Sequence, residues 1–596
     1  MANFYKDNDD IKFLLNHMDL GELADLMEQG YKYAEQFDTA PANAQDAIEN
    51  YELVIDSLGQ LCADFVAPRS EEMDHEGNEL LPDGSVKRPK AMYEILDQLA
   101  KAQVMGMTLP HRFGGLNFPS LMLSVANEMV SRADASLMNI FGLQGIAETI
   151  NFFADEELKQ KYLPDLANGK HTGAMVLTEP DAGSDLQACK VKAFQDADGQ
   201  WYVHGVKRFI TNGCGEVLLI MARSEPEISD GRGLSLFSCY KSPTVHIRRL
   251  EDKLGIHASP TCEIFFDNTP VELVGERQRG LITYVMALMN GARIGISAQG
   301  LGIGEAAYRI ARDYAASREQ FGGPIEKLPP IRDLLINMKI SVEESRSLLY
   351  EACRVVDHEI GMNKTIENPD SDPALVKETK KRLRMIKRYA AMLTPMTKYI
   401  STEMANQVAS DSISVLGGSG YMRDYACERY FRDARITNIY EGTTQLQVVA
   451  AVRHVTNGTA EKYIAELAEY DYEPQTVELL EILKANTETM QECVKFIKER
   501  GIDYMDLYGR DLVDIAVKII GGYLFCQQAC SKFDMQTAVG KNGKTMSMKE
   551  RKLAIAKRYI NRCNFEIEAC RKRILSGCKS SFELYEEIAG PVPELA

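Results

Sequence analysis

The chain has 596 residues, 45% apolar and 26% charged, the balance of a folded globular protein too long for one compact core. A net charge of −18 argues against nonspecific attraction to nucleic acid or to an anionic membrane. No apolar run approaches the roughly 18–20 residues that span a bilayer, and the acidic start "MANFYKDNDDIKF" lacks the features of a signal or transit peptide, so a cytoplasmic protein without a membrane span is expected.

The first elements read as helical. Leu20, Leu23, Leu26 and Met27 recur at helical spacing, as do Leu53, Ile55, Leu58 and Leu61. "MDHEGNELLPDGS" (73–85) and "PHRFGGLNFPS" (110–120) are turn-rich connections. Near His171 the texture changes. "TGAMVLTEP", "WYVHGVKRFITNG", "EVLLIMARS", "LSLFSCY" and "CEIFFDNTPV" are short β-branched and aromatic runs between breakers, which predicts an antiparallel β domain. The helical period returns at Leu281. "KTIENPDSDPALVKETKKR" (364–382) reads as a surface loop within it. Beyond Thr456-Asn457-Gly458, the residues Leu479, Leu483, Met490, Val494 and Ile497 trace one face of an appended helical module. Segregated helices and strands imply an α+β multidomain chain rather than a wound α/β sheet. The expected division is an N-terminal helical extension (1–48), an N-terminal α domain (49–171), a middle antiparallel β domain (172–275), a C-terminal α-bundle (276–456) and an appended helical domain (457–596).

Thirteen cysteines include no CxxC pair, and they read as reduced buried thiols. Nine histidines form no HxxH, HxxxH or HExxH pattern, so no metal site is expected. Gly300, Gly302 and Gly304 in "GLGIGEAAYRIA" imitate a dinucleotide fingerprint, but the preceding residues read as helix rather than strand. Close helix packing explains these glycines better. "AVGKNGKTMS" imitates a phosphate loop but has Ala538 where its first glycine belongs. Gly540, Asn542 and Gly543 read as a turn between helices.

Four segments carry the chemistry: "LTEPDAGSD" (177–185), "FITNG" (209–213), "SREQFG" (317–322) and "LGGSGYMRDYACERYFRDARITNIYEGTTQLQ" (416–447). Each alone has an ordinary reading as a turn, a strand end or a helix breaker. Together, in this order on an α–β–α background, they resemble the acyl-CoA dehydrogenase family of flavoproteins over residues from about 50 to 455. The resemblance implies that family's fold, with residues 276–456 as a four-helix bundle, and it implies an FAD cofactor. It assigns Glu441 as the base that takes the α proton of an acyl-CoA thioester, with Ser184, Arg293, Tyr440 and Gly442 on the substrate side. Physical chemistry agrees with such a base. The α proton is weakly acidic, so the carboxylate must be ionised yet poorly solvated, and Gly442 permits close backbone approach. Some family members place the base in the first helix after the β domain. That position here is Ala292, which cannot accept a proton.

Cofactor contacts implied by the resemblance are Met175, Leu177, Thr178, Ser184, Phe209, Thr211, Thr443 and Gln445. Arg318, Gln320 and Phe321, with Ser414, Gly417 and Gly418, match residues that hold the ADP half of the flavin across a subunit interface. Phe209 stands where the family usually has tryptophan, Met175 where it often has tyrosine and Ser414 where it often has glutamine. The implied activity is α,β-dehydrogenation to a trans-2-enoyl-CoA, with electrons passed to an electron-transfer flavoprotein and the protein a homodimer. An acyl-CoA oxidase using dioxygen, a member specialised for cyclic or dicarboxylic acyl groups, and a non-catalytic scaffold of the same fold are the alternatives.

Overall fold

The computed structural model describes residues 2–540 and 543–593; Asn542 lies outside them. Packing divides the chain into two units, Met1–Ala390 with Thr397–Thr444, and Ala391–Met396 with Gln445–Ala596.

The first unit opens with helices α1 (Asp9–His17), α2 (Leu20–Glu28) and α3 (Ala44–Leu61), each started by a polar cap: Asn8, Asp19 and Asn43 accept the amides of Ile11, Glu22 and Asp46. Its further helices include α4 (Ser120–Ala133), α5 (Ala135–Phe141) and α6 (Gln144–Phe153) before the sheet, and α7 (Met286–Ser317), α8 (Pro329–Glu367), α9 (Pro373–Leu416) and α10 (Cys427–Thr437) after it. Arg346 on α8 is fully buried. It donates to Asp10, Glu128 and Glu305 at 2.6, 2.6 and 2.8 Å, so one guanidinium joins α1, α4, α7 and α8. A buried charge of this kind is held only while its partners remain, which fixes the N-terminal segment to the helical core.

The sheet has seven strands: β1 (Gly173–Val176), β2 (Lys192–Gln195), β3 (Trp201–Thr211), β4 (Val217–Arg223), β5 (Leu234–Tyr240), β6 (Val245–Leu250) and β7 (Thr261–Leu273). Strands β4, β2, β3, β7 and β5 pair in a closed circuit, β1 flanks β4, and β6 adds to β7. Most pairings are antiparallel, but β1 runs parallel to β4, from Gly173↔Val217 to Val176↔Ile220, because β1 enters from the helical domain rather than through a hairpin. Strand β4 is buried on both faces. Leu218, Ile220 and Ala222 point into the barrel core with Phe237, Ile264 and Phe266. Val217, Leu219 and Met221 pack with Ile146 and Ile150 of α6 and with Tyr284. The period of two explains why this run is continuously apolar.

Three local expectations change. The stretch 364–382 is mostly helix: α8 continues to Glu367 and α9 begins at Pro373, whose missing N–H costs nothing at a first helical position, with Asp372 capping Ala374. Strands β2 and β6 were not predicted: β2 has four residues with one buried, and the alternation of β6 is broken by the consecutive Arg248 and Arg249. Two helical stretches, Gly280–Ser317 and Ile502–Ala529, are long and apolar enough to cross a membrane by length and composition, with 39% and 83% of their apolar windows buried. Asn290, Arg293 and Gln299 interrupt the first stretch and Asp514 and Lys518 the second, yet the mean hydropathy stays high.

In the second unit, α11 (Thr444–Thr456, from Gln445 onward), α12 (Val477–Lys498), α13 (Ile502–Ala529) and α14 (Met548–Leu575) are the principal helices. Leu479, Leu483, Met490 and Ile497 are buried as the predicted face of α12.

The glycines of α7 serve packing. A Cβ on Gly300 would lie 2.9 Å from the Ser401 carbonyl oxygen, on Gly302 2.4 Å from the Glu128 carbonyl oxygen, and on Gly304 2.6 Å from the Met404 sulfur. Gly302 faces backbone of α4, which cannot turn aside. Gly302→Ala should therefore destabilise the protein by about 1–3 kcal/mol, read as a lowered thermal midpoint.

Candidate active site

The segment "NIYEGTTQLQ" follows α10 as a tight loop. Glu441 has φ +55 and Gly442 φ +92. A left-handed glutamate is uncommon and costs conformational energy, so its surroundings must hold it there. The supports are specific. Thr444 donates its amide to the Asn438 carbonyl at 3.1 Å. Glu403 of α9 accepts from Asn438 Nδ2 at 3.0 Å and from the Thr444 hydroxyl at 2.7 Å. Lys398, also on α9 and fully buried, donates from Nζ to the Gly442 carbonyl at 2.7 Å. Tyr440 anchors the other side. Its hydroxyl donates to Gln299 Oε1 on α7 and lies 3.1 Å from Asn139 Oδ1 on α5, while Gln299 Nε2 donates to the same Asn139 oxygen at 2.8 Å.

The electrostatics of Glu441 follow from this placement. Burial pushes its carboxyl up to about 7, and the neighbouring cations Lys398 and Arg293 pull against that rise. Burial pushes Lys398 down to about 8, against the pull of Glu441. Arg293 on α7 donates to Asn290 Oδ1 at 3.0 Å, and its buried Nε has no hydrogen-bond partner. On the same helix, a Cβ on Gly295 would make ordinary contact, 3.7 Å from Met138 and 4.0 Å from Asn127. Ala292 offers no titratable group.

The two barrel loops lie together. Arg208 donates its amide to the Thr178 carbonyl at 2.9 Å, which joins "LTEP" to "FITNG". Lys207, fully buried, donates to the Leu177 carbonyl at 2.6 Å and to Glu179 Oε1 at 2.9 Å. Glu179 is held below the usual carboxylate range: burial opposes this, but Lys207 and the amides of Lys190 and Val191 outweigh it. Met175 is half-buried on β1, Leu177 is buried, Thr178 and Thr211 are half-buried, and Ser184 is exposed. Phe209 is 51% exposed with φ +60, and the Arg208 guanidinium lies 4.6 Å from its ring.

A further barrel loop reaches α10 and α5. The Ile256 amide donates to Asp433 Oδ1 of α10 at 2.5 Å, and Asn139 Nδ2 donates to the Ser259 hydroxyl at 3.3 Å. The sheet is thereby joined to the helix that ends in the Glu441 loop. Arg318, Gln320 and Phe321 form a separate small hairpin, Glu319–Gln320 paired with Gly323–Pro324, in which Phe321 is 92% exposed. Ser414, Gly417 and Gly418 lie exposed at the end of α9, and a Cβ on either glycine would meet nothing within 4 Å. Thr443 is half-buried two residues after Glu441, and Gln445 is exposed at the start of α11.

Family profiles match nearly the whole chain: "Acyl-CoA dehydrogenase, N-terminal domain" at 49–170, "middle domain" at 174–269, "C-terminal domain" at 279–371 and 373–456, and "Acyl-CoA dehydrogenase C terminal" at 456–566. This chain belongs to the acyl-CoA dehydrogenase family. An acyl-CoA dehydrogenase of Bacillus subtilis is 33% identical over 66% of this chain and 98% of its own length. The structure of butyryl-CoA dehydrogenase from Megasphaera elsdenii is 28% identical, with TM-score 0.57 over 68% of this chain and 97% of that one. An acyl-CoA dehydrogenase from Bacillus anthracis, complexed with FAD, shares the fold over 91% of this chain and 90% of its own, with TM-score 0.73 and 21% identity. The proteins named in these matches are acyl-CoA dehydrogenases, oxidoreductases of the CH–CH group.

Sequence reasoning missed Lys398, Glu403, Lys207 and Glu179 in this acyl-CoA dehydrogenase family member. Lys398 did leave a signal, a lone lysine between Met396 and Tyr399 in an otherwise apolar part of α9. Lys398→Met would remove a cation near Glu441 and a donor from the Gly442 carbonyl. Loss of a nearby cation favours the protonated acid. An infrared titration of the Glu441 carboxyl stretch, identified by its absence in Glu441→Gln, should give a midpoint higher than that of the native protein. An unchanged midpoint would show that Lys398 does not act on Glu441.

Proposed function

We propose that this chain oxidises an acyl-CoA thioester to a trans-2-enoyl-CoA, with Glu441 taking the α proton. The observation that carries the reading is the state of Glu441: a half-buried carboxylate, fixed by its loop and lifted by burial to about 7. At neutral pH such a group is substantially ionised yet far more basic than a solvated glutamate, which is what a weak carbon acid demands. In this reading the Glu441 backbone N–H polarises the thioester carbonyl, Gly442 lets the substrate approach, and Tyr440 walls the site. Arg293 takes the pantetheine or nucleotide part with its unpartnered Nε.

The residues present fit FAD. Gly417 and Gly418 are exposed and, without side chains, leave their backbone open to a pyrophosphate, and Thr178 and Thr211 bring hydroxyls to neighbouring loops joined by the Arg208–Thr178 bond. Met175, Leu177, Ser184, Phe209, Thr443 and Gln445 complete the contacts of the flavin half in this reading. When bound, FAD supplies the acceptor for the β hydride. The exposed Phe321, with Arg318 and Gln320, suits the ADP half bound by a second copy, with Ser414, Gly417 and Gly418 on the other side. We take the protein as a homodimer and an electron-transfer flavoprotein as the partner that collects the electrons.

Glu441→Gln keeps the shape of the side chain and removes its basicity. The variant should retain the yellow cofactor and lose anaerobic bleaching by butyryl-CoA by about 10²–10⁴-fold or more in rate. Bleaching at the native rate would overturn the assignment.

A further inference from the structure

Dehydrogenation makes no use of one charged surface, the first turns of α9. From Lys377 to Arg388 the helix carries seven basic residues against one acidic, Glu378, in a chain of net charge −18. Thr379, Leu383 and Tyr389 are buried on its inner side. Lys377, Lys380, Lys381, Arg384 and Arg388 are exposed, and steps of three and four place them along one outer face. Arg382 pairs with Glu22 at 3.9 Å, but among the described residues no carboxylate pairs with those five. Lys377–Lys381, Lys380–Arg384 and Arg384–Arg388 are like charges four positions apart, an arrangement that destabilises a helix. Helix stability therefore does not account for the stripe, whereas an anionic partner does.

The stripe borders a shallow hollow lined by Pro373, Val376, Lys377, Lys380, Lys381 and Arg384. Pro373 and Val376 give it apolar surface, and the lysine and arginine stems extend that surface beneath their charges. Such a hollow fits a segment that is both acidic and apolar. Residues 580–593 of this chain have that composition: Glu583, Glu586 and Glu587 with Phe582, Tyr585 and Ile588, and no basic residue. They form two helical turns, Ser580–Glu583 and Tyr585–Ala589, and every residue from 581 to 593 is exposed. Phe582, Tyr585 and Ile588 are 56%, 66% and 71% exposed, and among the described residues no cation pairs with the three glutamates. Large apolar side chains gathered this closely in water mark a surface that a partner covers.

We propose that residues 580–593 of one copy dock into the α9 hollow of a second copy. In a single copy neither set of charges has an ionic partner, and the contact supplies both. Glu583 and Glu587, four positions apart, match the four-residue step of Lys377–Lys381 and of Lys380–Arg384. Exposed ion pairs contribute little individually. Burial of Phe582, Tyr585 and Ile588 against Pro373, Val376 and the exposed Leu375 therefore carries most of the contact, and the charges set its partner and direction. An anionic membrane would repel the three glutamates, whereas the basic stripe attracts them. The surface joins copies of this chain and stands apart from the assignment of Glu441.

The test uses the native full chain at low ionic strength, treated with a zero-length carbodiimide that joins a carboxylate to an amine only where the two touch. A covalent band of twice the chain mass is expected. In it, peptides holding Glu583, Glu586 or Glu587 should be joined to peptides holding Lys377, Lys380 or Lys381. Lys380→Glu with Lys381→Glu should lower the yield of these joined peptides by about tenfold or more. Adding Glu586→Lys and Glu587→Lys to that variant should restore it, because the attraction is then reversed in sign on both sides. The native chain decides the matter by itself should either variant fail to fold. If the joined peptides are absent, or occur only in the band of single-chain mass, or persist at the native yield in Lys380→Glu with Lys381→Glu, the proposal is wrong.

Discussion

One buried contact governs the candidate site: the Lys398 ammonium donating to the Gly442 carbonyl at 2.7 Å. It holds the backbone immediately after Glu441, and it sets a cation close to that carboxylate. A loop with φ +55 at a glutamate carries backbone strain that such an anchor holds in place. Burial alone would make Glu441 a weaker acid, largely protonated at neutral pH; burial beside Lys398 and Arg293 leaves its pKa at about 7. The lysine is in turn kept short of its full charge by its own desolvation. Each group is tolerable in the interior because of the other.

The rest of the first unit places that contact. Helix α9 carries both Lys398 and Glu403, so one rigid element supports the loop at two points. Helix α7 supplies Arg293 and Gln299, and its glycines let α4 and α9 approach closely. The barrel is tied in through Ile256–Asp433 and Asn139–Ser259, and its "LTEP" and "FITNG" segments are joined by the Lys207–Glu179 pair. Each support joins residues far apart in the chain.

That explains what could be read from the sequence. The apolar runs of β1, β3, β4, β5 and β7 were legible because a buried strand needs them, and the helical face of α12 because its period is unbroken. Glu441 stood out as a candidate through its neighbours in one contiguous motif and through Ala292 at the competing position, and the structure adds its burial and its left-handed backbone. Lys398, Glu403, Lys207 and Glu179 were not, because each derives its meaning from a partner tens of residues away: Lys398 is 44 positions from Gly442, and Lys207 is 28 from Glu179. The parallel pairing of β1 with β4 was hidden for the same reason. Helix through 364–382 was missed because Pro373 and Asp372, which read as loop chemistry, are also what starts a helix.

The central claim is that Glu441 acts as a base whose proton affinity the fold has raised. Its most direct measurement is the first-order rate of flavin reduction by saturating butyryl-CoA, followed anaerobically in a stopped-flow instrument across pH. Because the ionised form is the active one, the rate should be low in acid, rise as pH passes about 7, and level off above it. A rate already at its plateau by pH 5, as a solvated glutamate of pKa about 4.3 would give, would contradict the account.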